Sequence, residues 1–93
     1  MIYAKFHEDV VALCDSDLIG KEFEEGKKYL HVSERFYKGT IVTTKEVVEI
    51  LQGASNLNLV GKEVVGIALK KGFITKEHIM IIQGVPHGQI YAG

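Results

Sequence analysis

Asn58-Leu59-Val60-Gly61-Lys62-Glu63-Val64-Val65-Gly66-Ile67-Ala68-Leu69-Lys70-Lys71-Gly72 is the stretch whose reading decides the fold class. Leu59-Val60, Val64-Val65 and Ile67-Ala68-Leu69 recur at the three-and-four spacing of a helix with one buried face. Asn58 stands where a side-chain cap belongs, Lys70-Lys71 suit the negative end of a helix dipole, and Gly72 follows as a stop. The spacing predicts a helix over residues 59–71. So apolar a helix must cover a sheet, and the flanking segments supply one.

Downstream, Thr75 to Glu77 are turn-like, and 78–83 read as a short apolar strand. Gly84-Val85-Pro86-His87-Gly88 reads as a glycine-bracketed loop before a last short strand at 89–92. Upstream, Ile2, Ala4 and Phe6 alternate with Tyr3, Lys5 and His7, and the β-favouring run 10–14 follows after Glu8-Asp9, predicting an opening hairpin over residues 2–14. Asp15 or Ser16 is placed to cap a short helical turn running through Leu18-Ile19 to Phe23. Residues 28–32 alternate like a strand, 33–39 read as one capped turn stopped by Gly39, and 40–43 as an edge strand. Thr44 with first-turn Glu46 predicts a second main helix ended by Gly53. The sum is one α+β domain over residues 1–93, with a small antiparallel or mixed sheet of four to five short strands and two main helices on one side.

Composition bounds the function. Of 93 residues, 46% are hydrophobic and 25% charged, and the formal charge of -1 excludes both a strongly basic nucleic-acid binder and an acidic tail. One cysteine, Cys14, forms no internal disulfide and sits inside a strand, where a small core residue is its ordinary role, so a reducing compartment is expected. Acids at Glu8-Asp9 interrupt any leader-like run, and no stretch is long and apolar enough to span a membrane, which sets the expectation of a cytoplasmic protein. His7, His31, His78 and His87 lack the spacing of a metal site. Asp15 and Asp17 resemble a carboxylate pair, but helix capping explains them without chemistry. Hence no metal, no cofactor and no catalytic residue is assigned.

Four candidate surfaces remain. Residues 53–93 carry Lys62, Lys70, Lys71 and Lys76 against Glu63 and Glu77, a balance of +2, while the first 52 residues balance at -3. This modest basic surface suits phosphate, or is only a solvated helix face. Asn58, Gly61 and Lys62 place free amides, a small residue and a positive charge at a predicted helix start, an arrangement that suits an anion or simply a well-packed cap. Pro86, His87 and Gln89 concentrate polar function beside two glycines. Phe36 and Tyr37 suit base stacking, or plug a core edge.

Asp17-Leu18-Ile19-Gly20-Lys21, Phe36-Tyr37-Lys38-Gly39, Asn58-Leu59-Val60-Gly61 and Gly84-Val85-Pro86-His87-Gly88-Gln89 occur in that order and separation. Together they make the chain resemble a small archaeal family, domain of unknown function 424, over nearly its whole length. Gly88 departs from the alanine that many members carry there. The resemblance implies an archaeal cytoplasmic protein with a small α+β fold and an RNA-binding or translation-associated role, with no established reaction or cofactor. The first expectation is therefore a non-catalytic module that engages RNA or a ribonucleoprotein through Phe36, Tyr37, Lys62, Lys70 and Lys71, with Asn58, Gly61, His87 and Gln89 supplying hydrogen bonds. The alternatives are a small-molecule or enzymatic pocket around His87, Gln89 and Asn58, and a protein-interaction domain using the Phe36-Tyr37 turn and a sheet edge. Oligomeric state is open.

Overall fold

The computed structural model describes residues 1–92. Strands β1 (Ile2–Phe6) and β2 (Val11–Asp15) form the expected opening hairpin, paired antiparallel from Ile2↔Asp15 to Phe6↔Val11. A single 3-10 turn (Ser16–Leu18) follows, and the chain then enters a two-stranded ribbon, β3 (Glu22–Glu25) and β4 (Lys28–His31). The expected helical run to Phe23 therefore stops at Leu18, because 22–25 pair with 28–31 instead. Helix α1 (Glu34–Tyr37) is one turn, capped by Ser33 Oγ accepting from the Phe36 amide, and β5 (Thr40–Val42) joins β1 at the sheet edge.

Helix α2 (Thr44–Gly53) carries a capping box one residue earlier than the sequence suggested. Thr43 Oγ1 accepts from the Glu46 amide at 3.1 Å, and Glu46 Oε1 accepts from the Thr43 amide at 2.8 Å. Then comes the largest departure from expectation. Residues 58–60 are not helix but the core of β6 (Asn56–Val60), and helix α3 (Lys62–Lys70) starts only after Gly61. Asn56-Leu57-Asn58-Leu59 alternates as a strand does, but Asn58 also suits a helix cap, and Leu59-Val60, buried on the two faces of β6, also fits an apolar helix face. A 3-10 turn (Lys76–His78) leads into β7 (Ile79–Ile82) and β8 (Val85–Tyr91), joined through Gln83-Gly84, both with positive φ. The expected loop at 84–88 is thus mostly strand, with its turn one residue upstream of where glycine and proline pointed.

The main sheet has six strands, in the order β5-β1-β2-β6-β8-β7, rather than four or five, and its one parallel pair is β2 with β6. It is mixed and mostly antiparallel, and with the three helices the fold is α+β. Nor is it covered on one side alone. On the first face Ile2, Ala4, Leu13, Leu57 and Leu59 meet Val47 and Leu51 of α2 and Val64, Val65 and Ala68 of α3. On the second face Ala12, Cys14, Val60 and Ile82 meet Leu30, Val32 and Tyr37 from the ribbon and α1. Among the described residues no helix is long and apolar enough to cross a membrane.

Candidate functional site

Pleating sends alternate residues of each strand to opposite faces, so Asn58 and Val60 of β6 and His87 and Gln89 of β8 share the second face. The register pairs Asn58 with Gln89 and Val60 with His87. Helix α1 lies over β1 and β2 and brings Tyr37 down onto this surface, 4% exposed. The outcome is a hydrogen-bonded chain from three separate parts of the sequence. The Tyr37 hydroxyl donates to Asn58 Oδ1 at 2.7 Å, and His87 Nε2 lies 3.1 Å from the same oxygen. An amide oxygen only accepts, so Nε2 carries the proton and Nδ1 keeps its lone pair. The nitrogen of the exposed Gln89 amide lies 3.3 Å from the same Nε2, and since both atoms are donors Gln89 stands beside the solvent end of the chain without bonding to it.

Asn58 is 6% exposed, so its carboxamide must be hydrogen-bonded to be tolerated, and Tyr37 and His87 satisfy it. Burial holds the His87 imidazole below its ordinary range, which keeps it neutral at neutral pH, and pushes the Tyr37 phenol up, which keeps it a donor. Neither the oxygen that the imidazole bonds nor the Gln89 amide beside it belongs to a carboxylate, hydroxyl or thiol. The arrangement offers fixed donors and acceptors and no nucleophile-base pair.

Around it, the His7 ring stacks on Phe36 with centroids 4.5 Å apart, and His7 Nε2 lies 2.9 Å from the Phe36 carbonyl oxygen. Phe36 is thereby engaged inside the protein, and Tyr37 is buried. The expected stacking of these two rings on a base is therefore corrected, since Tyr37 is enclosed in the core and one face of the half-buried Phe36 is taken by His7. Tyr91, 64% exposed and two residues beyond Gln89 on the same strand face, is the open aromatic that sequence reading missed. Its signal was the 85, 87, 89, 91 alternation, hidden while 84–88 were read as a loop.

The remaining candidates lie elsewhere. Gly61, with φ +117°, and Lys62 sit at the start of α3, where Asp15 already fills two of the free amides: Oδ2 accepts from Glu63 N–H at 2.8 Å and Oδ1 from Val64 N–H at 2.9 Å. A Cβ on Gly61 would strike the Asp15 side chain, so the glycine is required by this cap. The expected anion seat at the helix start is corrected accordingly, because a carboxylate of the chain itself occupies it. Asn58 does not cap this helix; Asp15 does, across 48 residues. Burial pushes the Asp15 carboxyl up, against the opposing pull of the two amides. Cys14 is a core residue whose thiol, raised by burial and the neighbouring Asp15 and Asp17, reaches about 12.

Lys62 and Lys70 are exposed on α3 and Lys71 just after it, and α3 packs on the first face, so they do not join Asn58, His87 and Gln89 on one surface. Pro86 also parts from His87: it is buried and borders a trough beneath α3, while its carbonyl accepts from Gly61 N–H at 3.0 Å. Among the described residues no group of three His, Cys, Asp or Glu side chains is placed to hold a metal ion.

Comparison with known proteins gives a family and one structural likeness. The family described as "Protein of unknown function (DUF424)" matches residues 4–92. A crystal structure of an uncharacterized conserved protein from Methanopyrus kandleri superposes with a TM-score of 0.72 at 29% identity, covering 99% of this chain and 90% of that one. No curated protein matches the sequence.

Proposed function

The chain belongs to the DUF424 family of proteins of unknown function, and we propose that it is a non-catalytic module that recognises unpaired RNA bases on the second face of its sheet. The observation that carries this reading is the hydrogen-bonded chain Tyr37–Asn58–His87, which ends beside the exposed Gln89 amide and an open tyrosine. A base stacked on Tyr91 would present its edge to the Gln89 carboxamide, which both donates and accepts, and to a neutral His87 held in one tautomer. Tyr37 and Asn58 act as positioning residues, since they are buried and fix the imidazole. Lys5 stands in the same cross-strand row as Ala12, Asn58 and Gln89, where an ammonium group suits a phosphate on the strand's flank. An enzymatic pocket around His87, Gln89 and Asn58 is less well supported, because the imidazole is bonded to an amide oxygen and lacks an acid or nucleophile.

Fluorescence anisotropy with labelled single-stranded and duplex RNA tests the reading. Single strands are expected to bind more tightly than duplex, with affinity falling as salt rises. Tyr91→Ala and Gln89→Ala alter exposed side chains and should each weaken binding by about tenfold at unchanged Tm. Variants that bind as wild type does, or a wild type that binds no single strand, would remove the proposal.

A further inference from the structure

On the opposite side of β8 from the polar chain, α3 and β7 border a trough of about 380 Å³. Val65, Gly66 and Leu69 form one wall and Ile79, Ile81 and Pro86 the other, with Lys62 and Lys76 as the only charged residues in the lining. Its volume is at the lower end of the roughly 300–1,000 Å³ of small-molecule sites, whose pattern of apolar walls with few polar groups it also follows. Leu69 and Ile81 are 37% and 48% exposed, so this apolar surface is left to water. Neither lysine has a carboxylate partner among the described residues.

A second observation concerns Gly66. Glycine in the middle of a helix costs about 0.5–1 kcal/mol relative to alanine, and the usual reason for keeping one is the close approach of a neighbour. No such neighbour exists within the chain: a Cβ at Gly66 would meet nothing within 4 Å. The missing side chain instead widens the trough that Gly66 lines.

From the apolar walls, the two unpaired ammonium groups and the vacant side-chain position, we propose that this trough binds a small amphiphilic anion, a hydrocarbon body with a carboxylate or phosphate head. The body covers Val65, Leu69, Ile79 and Ile81, and the head pairs with Lys62 or Lys76. The peptide edge of β7 is a poorer explanation for this surface, because Lys28 Nζ already donates to the Ile81 carbonyl at 2.6 Å and blunts the edge.

Isothermal titration of the full chain with octanoate, decanoate, decyl phosphate and decyltrimethylammonium, all below micelle formation, tests the site. Decanoate or decyl phosphate should bind, and whichever head binds more tightly identifies the preferred source of the negative charge. Octanoate should bind about tenfold more weakly than decanoate, from the loss of two buried methylenes, and the cation should not bind. Gly66→Leu is expected to fill the trough and abolish binding while Tm stays level or rises, and Gly66→Ala to raise Tm with weakened binding. A Lys62→Gln, Lys76→Gln double variant should lose the preference for anions. Binding untouched by Gly66→Leu, equal binding of anion and cation, or no binding of either anion would overturn the proposal. Gln89→Ala should leave decanoate binding unchanged, which keeps this outcome separate from that of the RNA titration.

Discussion

The two faces of the main sheet are made by the same strands, one residue out of step, yet they are closed in different ways. Under α2 and α3 the buried side chains of the first face are all aliphatic, with Leu13, Leu59, Val64 and Val65 almost wholly buried. Under α1 and the ribbon the second face mixes Ala12, Cys14 and Val60 with a buried carboxamide and a buried phenol. Apolar contacts are non-directional and tolerate many arrangements, whereas Asn58 is tolerated only while Tyr37 and His87 stand at bonding distance. The first face therefore supplies stability, and the second supplies specified geometry.

Neighbouring residues of β6 test this contrast because they point to opposite faces. The largest expected effect comes from Val64→Asp, which forces an unpaired charge into the first-face core at a cost of several kcal/mol; a cooperative melt at the wild-type Tm would contradict the assignment of that face. Leu59→Ala should cost about 2–5 kcal/mol by leaving a cavity in the same core. Asn58→Ala should cost less, about 1–3 kcal/mol, because it leaves the Tyr37 hydroxyl and the His87 N–H unsatisfied rather than emptying a packed volume. Urea denaturation of the two variants side by side decides the order, and a costlier Asn58→Ala would reverse the contrast drawn between the faces.

A smaller effect belongs to His87. Its folded pKa is held below the ordinary 6.5 by burial, so as pH falls the unfolded chain takes up the proton first. The stability tied to the neutral imidazole is complete above the ordinary value and declines as pH falls through it towards the folded pKa. Wild-type stability should therefore drop as pH falls through the ordinary value of 6.5 more steeply than that of His87→Ala, and parallel profiles would show that the imidazole is not the group responsible. Smallest of all is the expected change for a Lys62→Glu, Lys70→Glu, Lys71→Glu triple variant. With those lysines on the helix of the first face, single-stranded RNA should lose little affinity, and a collapse of binding would move the RNA surface to α3.

Much of the first face can be read directly from residue order. The alternation of residues 2–6, a threonine ahead of Glu46 and the Val64, Val65, Ala68 spacing are local signals; the first two formed elements within a residue of where they pointed, and the third fixed the body and end of α3 but not its start, which lies three residues later. Leu59-Val60 misled because an apolar pair fits a helix face and a doubly buried strand equally well, and only the β2–β6 pairing chooses between them. Pro86 and Gly88 misled for the opposite reason: both discourage strand locally, but each finds a place in β8 once β7 pairs beside it.

Residue order by itself determined the α+β class, the opening hairpin, the body of both main helices and the absence of a spaced metal motif, because these depend on periodicity and capping within a few residues. Tertiary structure alone decided that Asp15 caps a helix 48 residues away, that the sheet has a second covered face, and that Tyr37, Asn58, His87 and Gln89 meet there while the α3 lysines do not. The reason is physical. Strand register and face assignment depend on which partner each strand finds, and a shift of one residue turns every side chain to the other side.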